Sequence, residues 1–209
     1  MQSRFNWVLQ GQAAGPNPKC DIDLLRGQSV AAVPSLGSLF PGWLLAIPRR
    51  RLLSLRQLDS SHRMDFLKIC GSIGRKLDAF SPQVYYFEHG PVLEQSKVGC
   101  GVDQAHLHLV PTQQPLMKEV LADRTVIWVE VDSSDPWADV PVGVEYYFIS
   151  DAAKSYVGLP REPQSQFFRR KLAALKGNPD QWDYRNWPHY EHIQRTIDHF
   201  SLEPANEAA

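Results

Sequence analysis

Two histidines separated by one residue form the part of the chain best suited to chemistry. His106 and His108 lie in the segment 103–111, where polar and apolar residues alternate. Successive side chains of a β-strand point to opposite faces, so Gln104, His106 and His108 are predicted to share one face, with roughly 7 Å between Cα atoms two residues apart. The other face is predicted to pack into the core and holds Ala105, Leu107 and Leu109.

A glycine-containing turn comes directly before this strand and consists of Gly99, Cys100 and Gly101. Glycine lets backbone N–H groups turn toward an anion without interference from a Cβ atom, and such amide groups bind phosphate oxygens. An imidazole has an ordinary pKa of about 6.5, so a neutral ring is available at pH 7 to attack phosphorus and form a covalent phosphoramidate. The segment therefore predicts an anion pocket beside a nucleophilic histidine.

Other interpretations of these residues stay open from the sequence alone. Alternating histidines also occur as polar residues on the exposed side of a half-buried sheet. A metal site is less favoured, because no third ligand stands at suitable spacing and Asp103 is predicted to point to the opposite face. Cys100 is a weak candidate nucleophile, since a reactive thiol needs a neighbouring base.

Hydrophobic patterning predicts the elements that position this segment. A helix is expected over 58–80, because Phe66, Ile69, Cys70, Ile73 and Leu77 follow the spacing of one helical face, with Asp59, Ser60 or Ser61 as its cap. Strands are expected over 29–33, 43–47, 84–87, 102–111, 125–131 and 144–149. Helices are expected over 165–176 and from Pro188 onward, with disorder after Leu202. This order predicts an α+β fold with a largely antiparallel sheet.

The chain has no clean domain boundary. Residues 1–115 are predicted to form the phosphate-binding core, and residues 116–209 add strands and a helical C-terminal extension packed on the same domain. In that extension, Arg169 and Arg170 are expected to lie in solvent on a helix face, as most helix charges do. The alternative is that Arg161, Gln164, Gln166 and Arg169 reach over the phosphate site.

Composition limits the class of protein. The formal net charge is −1 and no basic run is present, which argues against nucleic acid as a partner. No apolar stretch approaches the roughly 20 residues of a membrane-spanning helix, and the first twenty residues do not form a signal peptide. Three widely spaced cysteines favour a reducing compartment. A cytoplasmic protein without membrane association is expected.

Residues 104–110, QAHLHLV, resemble the signature of the histidine-triad superfamily, in which three histidines alternate with apolar residues, with Gln104 in place of the first histidine. The segment FPGWLLAIP at 40–48 is similar to the proline- and glycine-containing segment that comes before the triad in this family. FEHG at 87–90 is similar to the strand end before the triad loop. The resemblance covers roughly residues 20–115.

The resemblance implies a homodimer with an antiparallel sheet and a helix packed on it, acting on a nucleotide without metal or other cofactor. His106 would attack the α-phosphorus, and His108 would contact the phosphate or the bridging oxygen. Gly99, Cys100 and Gly101 would bind phosphate through their amides, and Glu88 and Arg51 would complete the nucleotide site. Substrates of this kind are dinucleoside polyphosphates and nucleoside phosphoramidates.

The chain departs from the family pattern at two positions. Gln104 can orient a neighbour or donate to phosphate but cannot titrate, and Arg51 stands where a supporting histidine is common. Arginine binds phosphate but does no acid–base work near pH 7. The expected function is therefore a nucleotide hydrolase or nucleotidyl transferase, with a nucleotide-binding protein of little or no catalysis as the alternative. A generic α+β interaction domain would require both histidines to be incidental.

Overall fold

The computed structural model describes residues 4–202, and its longest helix is α2 (Ser60–Lys76). Asp59 caps this helix by accepting a hydrogen bond from the backbone N–H of His62, as the sequence predicts. The predicted apolar face is confirmed, since Phe66, Cys70 and Ile73 are buried in the core. A Cβ atom at Gly74 would lie 1.9 Å from the Tyr86 hydroxyl, so glycine is what allows α2 to pack closely on the sheet.

A seven-stranded sheet with antiparallel pairing throughout forms the centre of the molecule, in the order β1-β2-β4-β3-β6-β7-β5. The strands are β1 (Val30–Pro34), β2 (Leu44–Pro48), β3 (Val84–Gly90), β4 (Leu107–Pro111), β5 (Val126–Val131), β6 (Tyr146–Ser150) and β7 (Ser155–Pro160). The chain is therefore an α+β protein with an antiparallel sheet, as predicted. Because β6 pairs with β3, the strands that follow residue 116 continue the sheet begun by the first half of the chain.

Both faces of the sheet are covered. On one face, α2 packs with residues such as Leu107, Leu109 and Phe148 in the largest core cluster. On the other face, a second cluster includes Phe87, Tyr147 and Val110 and is closed by the helix α4 (Phe167–Leu175). The alternation of strand side chains sends His108 to this second face, where its ring stacks on that of Phe87 with 4.5 Å between centroids.

Three short or terminal helices complete the described chain, namely α1 (Asn6–Leu9), α3 (Leu116–Leu121) and α5 (Tyr190–Leu202). Helix α5 contacts the start of β2, where the Gly42 N–H donates to the Thr196 hydroxyl at 2.7 Å. Within residues 4–202, no helix combines the length and apolar composition that a membrane crossing requires. The disorder expected after Leu202 falls outside the described residues.

The sequence missed three elements, α1, α3 and β7, and overextended the strand that contains the histidines. Strand β7 alternates only weakly, and α3 is too short for its periodicity to be distinctive. The strand predicted over 102–111 begins only at Leu107, because Gln104 and His106 precede the paired part of β4. The histidine segment is therefore half loop and half strand, which changes where its first polar side chain points.

Candidate functional site

A small cavity lies on the α4 face of the sheet, and three imidazoles line it. They belong to His89 at the end of β3, His106 just before β4 and His108 within β4. The ring centroids of His106 and His108 are 4.9 Å apart, and those of His89 and His108 are 6.1 Å apart. His106 and His108 therefore lie close together, as predicted, and His89 lies beside them.

Hydrogen bonds fix opposite tautomers on His106 and His108. His106 Nδ1 lies 2.8 Å from the backbone oxygen of Gln104, which only accepts, so Nδ1 carries the proton and Nε2 keeps its lone pair. The Trp43 indole N–H donates to His108 Nδ1 at 3.0 Å, so the proton of a neutral His108 must be on Nε2. One ring therefore offers a nucleophilic nitrogen and its neighbour offers a hydrogen-bond donor.

Burial keeps all three imidazoles neutral at pH 7. Desolvation lowers the pKa of His106 to about 4, and the hydrogen bond to Gln104 offsets only part of this effect. Desolvation and the neighbouring His106 lower the pKa of His89 to about 3. The same causes hold the pKa of His108 well below its usual range. Neutral His106 is the form that can attack phosphorus.

A buried arginine supplies positive charge at the same cavity. Arg169 of α4 lines the cavity, and its guanidinium lies 4.3 Å from the centroid of the Trp43 ring. The guanidinium donates to the Gly37 and Leu36 carbonyls and to the Ser35 hydroxyl, at 2.6 to 2.9 Å. Burial lowers the pKa of Arg169 to about 10, so it remains charged at pH 7. Within residues 4–202 it forms no ion pair with a carboxylate, its hydrogen-bond partners are neutral, and the negative charge of Asp183 acts on it only from a greater distance.

This burial corrects the expectation that Arg169 is solvated on a helix face. Its side chain is turned inward because residues 35–37 present three acceptors to it. Arg170 is also only partly exposed, with its guanidinium 3.3 Å from the centroid of the Trp182 ring. Gln166 lines the cavity as well, whereas Arg161 and Gln164 do not.

The glycine turn reaches the cavity only in part. Gly99 and Cys100 line the cavity, and Gly101 is exposed outside it. The backbone N–H groups of Cys100 and Val102 donate to carbonyls of the same turn, so they are already occupied. The Cys100 sulfur accepts a hydrogen bond from the Gln166 N–H at 3.0 Å, and burial raises the pKa of this thiol. A partly buried thiol that stays protonated is a poor nucleophile.

Three residues predicted for the site lie elsewhere. Gln104 is buried outside the cavity, where its amide donates to the Pro48 and Arg50 carbonyls. Arg51 is exposed and pairs with Glu94 at 2.9 Å. Glu88 is buried on the α2 face, where its carboxylate accepts from the Leu55 N–H, the Trp137 indole and the Tyr146 hydroxyl. Gln104 contributes through its backbone carbonyl, which holds His106.

His89 is a cavity residue that sequence reasoning missed, whereas Arg169 was considered only as the alternative to a solvated helix charge. A signal for His89 existed, because β3 and β4 pair with Phe87 opposite His108, and the alternation of β3 then sends His89 to the same face. No local pattern marks Arg169, since its partners lie more than 130 residues away in the chain.

The cavity is narrow and covered. Its volume is about 40 Å³, well below the roughly 300 Å³ at which small-molecule pockets begin. The Phe5 ring lies 6.0 Å from that of His106, and Arg4 lies over both Phe5 and Tyr184. The cavity has room for part of a phosphoryl group, and Arg4, Phe5 and Tyr184 lie where the rest of a nucleotide would extend.

One group of potential metal ligands occurs within residues 4–202, away from this cavity. His189, Glu191 and His192 at the start of α5 have ligand atoms within 4.8 Å of one another. The two imidazoles are stacked, with an interplanar angle of 18°. His192 Nδ1 lies 2.7 Å from the Ser38 carbonyl and His189 Nδ1 lies 3.4 Å from the Glu191 carboxylate, so both of these ring nitrogens already have partners within the protein.

No family model matches this chain, and no curated protein matches it either. The assignment of a function therefore depends on the chemistry of the cavity.

Proposed function

We propose that this chain is a nucleotide hydrolase or nucleotidyl transferase of the histidine-triad type, with His106 as the nucleophile. The observation that carries the proposal is the tautomer of His106, whose Nδ1 proton is held by the Gln104 carbonyl while Nε2 remains unprotonated. The buried charge of Arg169 in the same cavity favours an anionic ligand, because no carboxylate among the described residues forms an ion pair with it and a buried cation without such a partner is costly.

The first step forms a bond between His106 Nε2 and the α-phosphorus and breaks the bond from that phosphorus to the leaving group, which departs with the electron pair. The imidazole ring then carries positive charge, and its Nδ1–H bond to the Gln104 carbonyl stabilises it. Water or an acceptor hydroxyl then attacks the same phosphorus, and the P–Nε2 bond breaks with its electron pair returning to Nε2. His106 is released as the neutral imidazole with its proton on Nδ1, and the proton of the attacking water or hydroxyl passes to solvent.

His108 serves as a donor rather than an acid in this scheme. Its Nε2–H is directed by the Trp43 bond at Nδ1 and can bind a phosphoryl or bridging oxygen as negative charge develops. A neutral imidazole is too weak an acid to protonate a leaving group at pH 7. Polyphosphate leaving groups need no proton at this pH, whereas amines do, so the proposal favours dinucleoside polyphosphates over phosphoramidates.

The deciding experiment compares the wild-type protein with His106→Ala on diadenosine tetraphosphate and adenosine 5′-phosphoramidate. We expect the substitution to lower turnover by at least about 1,000-fold, because it removes the nitrogen that forms the bond to phosphorus. Binding of AMP, measured by calorimetry, should persist. Mass spectrometry of quenched wild-type reactions should detect an AMP adduct on His106.

The exposed residue His62, which pairs with Asp59, provides a matched control. His62→Ala should turn over at the wild-type rate. Full activity in His106→Ala would exclude the mechanism.

A nucleotide-binding protein without catalysis is the second candidate, and the position of Gln104 favours it. The amide of Gln104 is bonded to the Pro48 and Arg50 carbonyls, so nothing at that position handles protons for the leaving group. AMP binding without product from either substrate would select this function.

A further inference from the structure

His89 differs from the other two cavity histidines in its hydrogen bonding. His106 and His108 each have one ring nitrogen bonded to another residue of the protein. His89 is only 7% exposed, yet its Nε2 has no hydrogen-bond partner among the described residues. Because a buried polar atom without a partner is costly, such an atom in a cavity wall indicates a ligand that supplies the missing bond.

The residues around His89 hold its ring at the cavity but give its Nε2 no hydrogen bond. Aromatic rings contact the imidazole edge to face, with centroid distances of 5.1 Å to Phe168, 5.5 Å to Tyr147 and 6.1 Å to Phe87. These neighbours fix the ring by packing alone, since none of these contacts is a hydrogen bond. A histidine kept only for packing would be replaced by phenylalanine at lower cost, because burying an apolar ring leaves no polar atom unbonded.

We infer that His89 binds an oxygen of the phosphoryl group and so supplies the third polar contact that Gln104, bonded elsewhere, does not provide. The inference rests on the proposed function. A neutral imidazole carries one N–H donor, which suits an anionic oxygen acceptor, and His89 lies beside His108 in the same cavity wall. The site would then use imidazoles from two strands, β3 and β4, around one phosphoryl group.

The test measures AMP binding by calorimetry in wild type, His89→Phe and His89→Gln. His89→Phe keeps an aromatic ring among the same neighbours but removes both ring nitrogens. We expect it to weaken AMP binding about 10- to 100-fold, the usual effect of losing one hydrogen bond to a charged acceptor. His89→Gln restores a donor and should recover part of that loss. Inorganic phosphate is the second probe and should show the same order of affinities.

Phe168→Leu is the matched control, because it disturbs the same aromatic group without removing a polar atom. Its AMP affinity should stay within about threefold of wild type. Equal losses in Phe168→Leu and His89→Phe would mean that packing explains the effect, and would overturn the inference.

A measurement on the wild-type protein keeps the inference testable even if a variant fails to fold. Nitrogen-15 spectra of histidine side chains should show a ring nitrogen of His89 shifting when AMP is added. AMP binding with unchanged His89 signals, or with wild-type affinity in His89→Phe, overturns the role of His89 and leaves the role of His106 intact. Failure of the wild-type protein to bind AMP or phosphate overturns both.

Discussion

Glu88 and His89 are consecutive residues of β3, and the strand sends them to opposite faces of the sheet. Both are almost fully buried, at 0% and 7% exposure. Glu88 accepts three hydrogen bonds, from Leu55, Trp137 and Tyr146. His89 Nε2 has no partner within the described residues. Burial alone therefore does not separate a structural polar residue from a binding one, whereas the state of its hydrogen bonds does.

The α2 face uses its buried carboxylate to join distant parts of the chain. The Glu88 carboxylate connects β3 to the turn at Leu55 and to Tyr146 of β6. The α4 face leaves its buried polar groups incomplete, with an unbonded nitrogen on His89 and an unpaired charge on Arg169. Such unsatisfied groups are stable only where surrounding packing holds them, which is typical of sites that bind a ligand.

The largest expected effect is the loss of stability when the hydrogen-bonded carboxylate on the α2 face is removed. Glu88→Ala leaves three buried donors without an acceptor, so we expect the free energy of unfolding to fall by about 3–5 kcal/mol. Denaturant unfolding followed by circular dichroism measures this change. Glu88→Gln, which keeps one acceptor oxygen, should cost less. A loss below about 1 kcal/mol in Glu88→Ala would show that the comparison of the two faces is wrong.

The second prediction compares AMP binding after substitution of a buried arginine, Arg169, and an exposed one, Arg51. Arg169→Met should weaken AMP binding about 10- to 100-fold, because it removes the buried charge at the cavity. Arg51→Met should change it less than about twofold, since Arg51 is exposed and paired with Glu94. Calorimetry at fixed salt measures both.

Arg169→Lys keeps the positive charge and should fall between wild type and Arg169→Met. Equal effects at positions 51 and 169 would contradict the assignment of the anion site to α4.

The smallest expected effect is on the pH dependence of stability, because burial shifts the pKa values of Glu88 and His89 in opposite directions. Desolvation raises the pKa of Glu88 to about 7, so its contribution to stability is lost as pH rises from about 4.5 to about 7. Desolvation lowers the pKa of His89 to about 3, so its contribution is lost as pH falls from about 6.5 toward 3. The pH ranges over which these two contributions are lost both include pH 5 to 6.

Relative to wild type, Glu88→Gln should become more stable as pH rises through this range, and His89→Phe should become more stable as pH falls. Each difference should change by about 1 kcal/mol per pH unit. Urea unfolding at pH 5.0, 5.5 and 6.0 measures both slopes. If both stability differences changed with pH in the same direction, burial would not act oppositely on Glu88 and His89.

The sequence was most informative where periodicity is strong. The buried face of α2 follows from residue spacing, and cap chemistry restricts the N-cap to Asp59, Ser60 or Ser61, of which Asp59 forms the cap in the structure. The alternation of residues 104–109 also predicts that His106 and His108 lie together. Leu107 and Leu109 are apolar and face the core, so the histidines face the other side. The position of Gln104 was not predictable in this way, since the backbone leaves the strand before residue 107 and its amide finds carbonyls of residues 48 and 50.

The amino-acid sequence by itself determined most of the elements, the α+β class and the side of β4 on which His108 lies, because these depend on neighbours within a few residues. Only the tertiary structure decided which polar residues meet at the cavity. Arg169 reaches it across more than 130 residues, and the Trp43 indole sets the tautomer of His108 across 65. Contacts between residues so far apart in the chain depend on how the strands pair and the helices pack, and residue spacing does not encode that pairing directly.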